Sequence, residues 1–148
     1  MPQRPFRRPE LTTAVDERDD VVVVDLTGEI RMGRGDVVLR ELLEPLLDQS
    51  AQHVVVRLDA VKLIDSAGLG ELMAFHHRIR QRGRRFAVAN QDPWIRDLLS
   101  MTRLDTIFPV TDTIDEALDL IHNAPESRFV ASEQQAPPPV GHDAWPVD

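Results

Sequence analysis

The chain has 148 residues, of which 42% are hydrophobic and 28% are charged, and its formal net charge at pH 7 is −8. This length suits one domain with a real core, and the negative charge argues against nucleic acid or an anionic membrane surface as the main partner. The sequence has no cysteine, which excludes disulfides, zinc–thiolate sites and cysteine nucleophiles.

Proline is concentrated at both ends of the chain. The N-terminal ten residues and the C-terminal twenty-four are rich in proline and poor in apolar residues, and such segments cannot assemble a core. We therefore expect disordered tails at 1–10 and 124–148 and one folded domain over 11–123. No apolar run approaches the roughly 18 residues that would span a bilayer, and no apolar segment follows the basic N-terminus. We expect a cytoplasmic protein.

Short apolar runs rich in β-branched residues predict the strands of this domain. Buried strands are predicted at residues 21–26, 54–58 and 86–89, because short runs of this composition are typical of buried strands, and Thr27-Gly28 closes the first of them. Residues 11–15 are predicted to be an edge strand paired with the first of these. Residues 107–110 are predicted to be a short last strand.

Helical spacing of apolar residues alternates with these strands. Leucines between positions 39 and 47 predict a helix that Asp36 caps, and Pro45 inside it is expected to bend or split it. Apolar residues between positions 69 and 79 predict a second helix, which ends at Gly83.

Two capping signals mark the remaining helices. Asp92 followed by Pro93 predicts the start of a third helix, and Thr113 with Glu116 forms a capping box for a fourth. The element order β-β-α-β-α-β-α-β-α predicts an α/β domain with a mostly parallel sheet of four to five strands and about four helices.

The stretch between the second buried strand and the second helix contains the candidate site. Asp65 and Ser66 stand at the helix start, and Gly68 and Gly70 follow in its first turns. Ligands of open α/β sheets bind outside the carboxyl ends of strands, so this hydroxyl is placed for contact with a partner. The two glycines also leave the turn bare, so that another protein can approach closely. The simpler interpretation is that Asp65 or Ser66 only caps the helix, and spacing alone does not separate the two.

A longer pattern accompanies this stretch between Val21 and Ile121. Its centre is Asp65-Ser66-Ala67-Gly68-Leu69-Gly70. Four further segments occur in a fixed order around it: Leu26-Thr27-Gly28-Glu29-Ile30, Phe86-Ala87-Val88-Ala89-Asn90, Ile95-Arg96-Asp97-Leu98-Leu99 and Leu104-Asp105-Thr106-Ile107-Phe108. Taken together, the segments resemble the STAS domain family (sulfate transporter and anti-sigma factor antagonist).

The resemblance implies a stand-alone anti-sigma factor antagonist, which is a binding module and not an enzyme. In that family the unmodified domain binds an anti-sigma factor that is also a serine kinase, a GHKL-type ATPase, and so releases a sigma factor. The kinase phosphorylates the serine of the Asp-Ser pair, here Ser66, and a serine phosphatase resets it. The resemblance implies no catalytic residue, cofactor or metal, and it allows a weak homodimer. The partner-binding residues that it implies are Gly28, Glu29, Arg31, Gly33, Asp65, Ser66, Ala67, Gly68 and Leu69.

Two positions depart from the family pattern. Arg31 stands where the family usually has an acidic residue after Gly-Glu-Leu/Ile, in a loop that contacts the partner. The serine pair common in the family is Ser66-Ala67 here, so the motif offers one acceptor hydroxyl and no second site.

Other functions stay open at this point. The chain could be an unphosphorylated STAS subunit of a multiprotein signalling or lipid-transport assembly. A serine hydrolase is disfavoured, because Ile64 stands where the first glycine of Gly-x-Ser-x-Gly belongs. His76 lies on the apolar helix face and is predicted to be a partly buried core residue, and adjacent His77 points elsewhere, which makes the two a poor metal pair. The arginine run between positions 78 and 85 is predicted to be a solvated helix end, with a patch for an acidic partner as the alternative.

Overall fold

A computed structural model describes residues 11–31, 35–48 and 52–129. Within them, five strands form a single sheet in the order β1-β2-β3-β4-β5, accompanied by four α-helices. The elements in chain order are β1 (Leu11–Arg18), β2 (Val21–Ile30), α1 (Gly35–Asp48), β3 (His53–Ile64), α2 (Ser66–Gln81), β4 (Phe86–Ala89), α3 (Pro93–Met101), β5 (Val110–Thr111) and α4 (Ile114–Asn123). The predicted α/β fold is confirmed. None of the described helices is long and apolar enough to cross a membrane.

The sheet is parallel except at one edge. β1 is antiparallel to β2, as predicted for the edge strand, while β2, β3, β4 and β5 run parallel to one another. β2 and β3 extend beyond their predicted ends, because alternating polar residues continue both strands past the apolar runs. From Ala60 to Ile64, β3 pairs with β2 alone in the described sheet. The ends of β2 and β3 therefore project together past β4.

Helices cover both faces of the sheet. α1, α2 and α3 pack on one face and form the larger core with alternate residues of β2 and β3. α4 packs on the other face, where a short 3-10 helix at Glu126–Phe129 joins it. The central strands β2, β3 and β4 can bury both of their faces in this arrangement, which explains the near-continuous apolar runs of the sequence.

Three local predictions need correction. α1 begins at Gly35, so Asp36 lies inside its first turn and not at the cap. The same helix continues through Pro45 to Asp48 without splitting. Pro45 and Glu41 are both exposed, so water can satisfy the Glu41 carbonyl that proline leaves without a donor. The last strand is Val110–Thr111 and not 107–110, because a 3-10 helix at Leu104–Thr106 precedes it and Ile107 and Phe108 pack against the larger core before the strand begins.

Arg84 connects the sheet to the end of α1, although the sequence predicted a solvated position. Only 5% of Arg84 is exposed. Its guanidinium donates hydrogen bonds to the carbonyl oxygens of Leu46 (3.2 Å), Leu47 (2.8 Å) and Gln52 (3.1 Å). These include terminal carbonyls of α1, where a cation also meets the negative end of the helix dipole. The prediction is therefore wrong at this residue.

Arg85 makes the equivalent connection on the opposite face of the sheet. Its guanidinium donates to the carbonyl oxygens of Ile121 (2.8 Å) and Ala124 (2.9 Å) at the end of α4. The same group lies 4.5 Å above the ring of Phe129, which is fully buried. The described structure therefore continues past the predicted domain end at Asn123, while residues 130–148 and 1–10 lie outside it.

His76 is buried on the sheet-facing side of α2, as the sequence predicted. Its ring packs between those of Phe86 and Phe108, with centroid distances of 5.9 and 5.5 Å. No described group hydrogen-bonds its Nδ1 atom. Burial, and then the positive charge of Arg80, lowers the pKa of His76 to about 4. A buried neutral imidazole in an apolar cluster is therefore part of the packing that holds α2.

The burial of His76 predicts a pH-dependent stability. The unfolded chain protonates this imidazole near pH 6.5 and the folded chain only near pH 4. The free energy of unfolding should therefore fall as the pH drops through this window, by about 3 kcal/mol from this group alone. Urea unfolding at pH 7, 5.5 and 4 should show a smaller fall for His76→Leu than for wild type. The control His77→Gln removes only the smallest of the three effects that lower the pKa of His76, so it should retain most of the wild-type pH dependence. Equal curves for wild type and His76→Leu would contradict the assignment.

Candidate functional site

The candidate site lies where β3 ends and α2 begins. Asp65 caps the helix: its Oδ1 atom accepts hydrogen bonds from the backbone N–H groups of Ala67 (3.0 Å) and Gly68 (3.1 Å). Ser66 is the first residue of α2 and is exposed. Asp65 and not Ser66 is thus the cap, so the simpler interpretation holds for Asp65, while the role of Ser66 stays a prediction. The Ser66 hydroxyl is available for another role.

The end of β2 lies directly beside this turn. The backbone N–H of Asp65 donates to the carbonyl oxygen of Ile30 at 3.1 Å, and Ile30 pairs with Ile64 in the strand register. Arg31 and Asp65 are therefore the next residues of the two segments, and Ser66 follows Asp65. Two segments that are far apart in the sequence meet at this edge of the sheet.

The β2 segment has its own irregular geometry. Gly28 has φ of 123°, which favours glycine, and the register with β3 shifts between Gly28 and Glu29. Beyond this bulge, the Nε atom of Arg31 lies 3.0 Å from a carboxylate oxygen of Glu29, with 58% and 41% of their side chains exposed. The structure thus brings Gly28, Glu29 and Arg31 to the same edge as Asp65 and Ser66. The predicted partner residue Gly33 lies outside the described residues.

Gly68 and Leu69 face inward, although the family resemblance places them among the partner-binding residues. A Cβ atom on Gly68 would lie 2.5 Å from Cγ2 of Ile30 and 2.8 Å from Cγ1 of Ile64. Leu69 is 7% exposed and belongs to the larger core. The sequence showed small and apolar residues after Ser66 but not the side of the helix on which each lies. Gly68 is required for close packing of α2 on the strand ends.

The outward side of α2 carries a different set of residues. Ser66, Gly70, Met73 and His77 are exposed and recur at helical spacing; we call them the Ser66 stripe. A Cβ atom on Gly70 would meet nothing within 4 Å, and 40% of Met73 is exposed. The sequence singled out Gly70 as a bare position of the turn, but neither Gly70 nor Met73 was among the predicted partner-binding residues. Both residues can be identified from the sequence as positions that share a helix face with Ser66, because such positions recur every three or four residues.

A second polar cluster lies at the opposite end of β3. There His122 Nε2 is 2.7 Å from Asp20 Oδ1, and His53 Nε2 is 3.8 Å from Asp20 Oδ2. The hydrogen bond with His122 lowers the pKa of Asp20, and burial lowers the pKa of His53. Within the described part of the chain, no group of three or more histidine and acidic side chains is arranged to hold a metal ion.

A comparison with protein families assigns this architecture. The model of the STAS domain matches residues 12–117, which include the whole candidate site. The chain belongs to the STAS domain family.

Relatives of this STAS domain have similar lengths and folds. An anti-sigma F factor antagonist of Paenibacillus polymyxa is 30% identical over 108 residues, which are 73% of this chain and 92% of the relative. The crystal structure of an anti-sigma factor antagonist from Mycobacterium paratuberculosis is 30% identical with a TM-score of 0.70, over 80% of this chain and all of that one. SpoIIAA, a Bacillus cell fate determinant solved in its phosphorylated form, shares the fold at 19% identity and a TM-score of 0.56, over 73% of this chain and 97% of that one.

The two glycines of the STAS motif should respond oppositely to alanine. Gly68→Ala should lower the free energy of unfolding by about 1 to 3 kcal/mol, because the new methyl group overlaps Ile30 and Ile64. Gly70→Ala should raise it by about 0.5 to 1 kcal/mol, because the position is open and alanine favours the helix. Urea unfolding of both variants measures the difference. Equal effects of the two substitutions would rule out the close packing at Gly68.

Proposed function

We propose that this STAS domain is an anti-sigma factor antagonist whose binding is switched off by phosphorylation of Ser66. Its partner is an anti-sigma factor that is also a serine kinase of the GHKL type. Capture of that partner releases a sigma factor, and a serine phosphatase restores the unmodified form. The domain acts in the cytoplasm as a binding module and not as an enzyme.

One observation carries this proposal: the serine of the STAS motif is an exposed first residue of α2 that the helix does not need as its cap. Modification of Ser66 removes no capping hydrogen bond, because Asp65 supplies the cap. The names of the two relatives that are 30% identical support the choice of partner class.

The position of Ser66 also suits a reversible charge switch. A phosphate adds about −1.5 to −2 charges at pH 7. At a helix N-terminus the backbone N–H groups and the helix dipole favour an anion, so the domain itself should stay folded. The cost in binding free energy arises in the complex. There the phosphate charge adds to that of Asp65 and must lose its hydration when the partner binds. Every 1.4 kcal/mol of that cost weakens binding tenfold.

Variants of Ser66 test the switch directly. Wild type and Ser66→Ala should capture the same ATPase from native extract, whereas Ser66→Asp should lose it. Mass spectrometry of the captured proteins, and of the Ser66 peptide of the wild-type protein in the extract, measures both parts of the proposal. If all three baits capture the same partners and no phosphorylated Ser66 peptide is found, the domain is a constitutive scaffold subunit.

The Ser66 stripe is the surface on which we place the partner. Its residues extend from the phosphorylation site along the solvent side of α2, and Gly70 leaves open space between Ser66 and Met73. Met73 offers an exposed apolar side chain of the kind that is buried at the centre of interfaces. The stripe therefore joins the switch to a contact surface.

An exposed methionine on another helix provides a matched control for this surface. Met73→Glu should weaken binding to the captured ATPase at least tenfold, because it places a charge in the buried part of the interface. Met101→Glu, on α3 at a position 81% exposed, should leave the affinity unchanged. Titration calorimetry with the purified partner measures both. Equal affinities for Met73→Glu and wild type would remove the stripe from the interface.

A further inference from the structure

We propose that Arg31 binds the phosphate of phosphorylated Ser66, giving up its ion pair with Glu29 to do so. The inference rests on the proposed phosphorylation of Ser66 and adds a regulatory residue at the same site. It assigns a role to the cation that stands where the family pattern has an acidic residue.

The strand register places Arg31 close to Ser66. Ile30 and Ile64 are paired neighbours, and the hydrogen bond from Asp65 to Ile30 continues the ladder for one more residue. Arg31 and Asp65 are therefore the next residues on the two sides of this ladder, and Ser66 follows Asp65 directly. Neighbouring strands lie about 4.8 Å apart, so an arginine side chain can reach one residue past its neighbour on the other strand.

The present partner of Arg31 is easily exchanged. Both side chains of the ion pair between Arg31 and Glu29 are exposed, and exposed ion pairs contribute little to the stability of a protein. A phosphate offers three acceptor oxygens and up to two charges, and guanidinium can bind it through two parallel hydrogen bonds. The phosphate therefore competes well against a single carboxylate.

Other charged groups at this edge are less suited to the contact. The Asp65 carboxylate points to the N–H groups of the helix turn, where it accepts from Ala67 and Gly68. Lys62 is exposed on β3, but it is a point charge without the planar fork of arginine. Transfer of Arg31 would leave the Glu29 carboxylate without its ion-pair partner on the proposed binding surface. Phosphorylation would then change the surface charge at Glu29 as well as at Ser66.

The pKa of the phosphate measures the contact. Phosphoserine is installed at position 66 during translation, and its second ionisation is followed by phosphorus-31 NMR between pH 4 and 9. The phosphate pKa, near 6 for free phosphoserine, should be about 0.5 to 1 unit lower in wild type than in Arg31→Ala. Arg31→Lys should give an intermediate value, and Glu29→Gln should give a value no higher than wild type.

Arg18 provides a matched control. It is an exposed arginine that pairs with the acidic side chain two residues before it, Asp16, at 2.8 Å, as Arg31 does with Glu29. Arg18→Ala should leave the phosphate pKa at its wild-type value. Equal phosphate pKa values in wild type and Arg31→Ala, or an equal shift in Arg18→Ala, would overturn the inference.

The titration separates this inference from the proposed function, because translational installation of phosphoserine needs no kinase. If the phosphate pKa depends on Arg31 but no ATPase is captured, the phosphate contact stands and the partner is wrong. If the ATPase is captured and phosphorylates Ser66 but the phosphate pKa is independent of Arg31, only the inference fails.

Discussion

The close approach of α2 to the ends of β2 and β3 is the contact on which the site depends. It exists because position 68 has no side chain, so that the first turn of the helix rests on Ile30 and Ile64. The same approach leaves Ser66 on the outside of the turn, and the strand register brings Arg31 beside the preceding residue, Asp65. Gly68 is buried and has no side chain, yet its packing determines where the proposed phosphorylation site Ser66 is exposed.

Much of this architecture follows from periodicity and capping. The buried strands and the caps at Asp92 and Thr113 are visible in the sequence, because each depends on residues close together in the chain. At the start of α2 the sequence left Asp65 and Ser66 as alternative caps, and the structure identifies Asp65. The orientation of Gly68 and Leu69 was not visible, because the same helical spacing is compatible with either side of α2. The edge that Arg31 shares with Ser66 was expected from the family resemblance and could not be derived from spacing.

The sequence also did not predict the hydrogen bonds that Arg84 and Arg85 donate to residues distant in the chain. Arg84 and Arg85 look like the continuation of an exposed basic run, but they lead directly into β4, and their side chains lie on opposite faces of the sheet. Each therefore reaches the carbonyl end of a different helix, α1 on one face and α4 on the other. Those partners lie more than thirty residues away in sequence, so no local pattern could predict them.

The position of Phe129 determines where other proteins can be attached to this domain. Its ring fills the smaller core beneath Arg85, six residues beyond the end of α4 at Asn123. A reporter joined directly after the last helix would replace this ring and uncover the valines of β2 on that face of the sheet. A fusion that begins after residue 129 keeps that face closed. It also leaves the Ser66 stripe unobstructed, because the stripe lies on the other face.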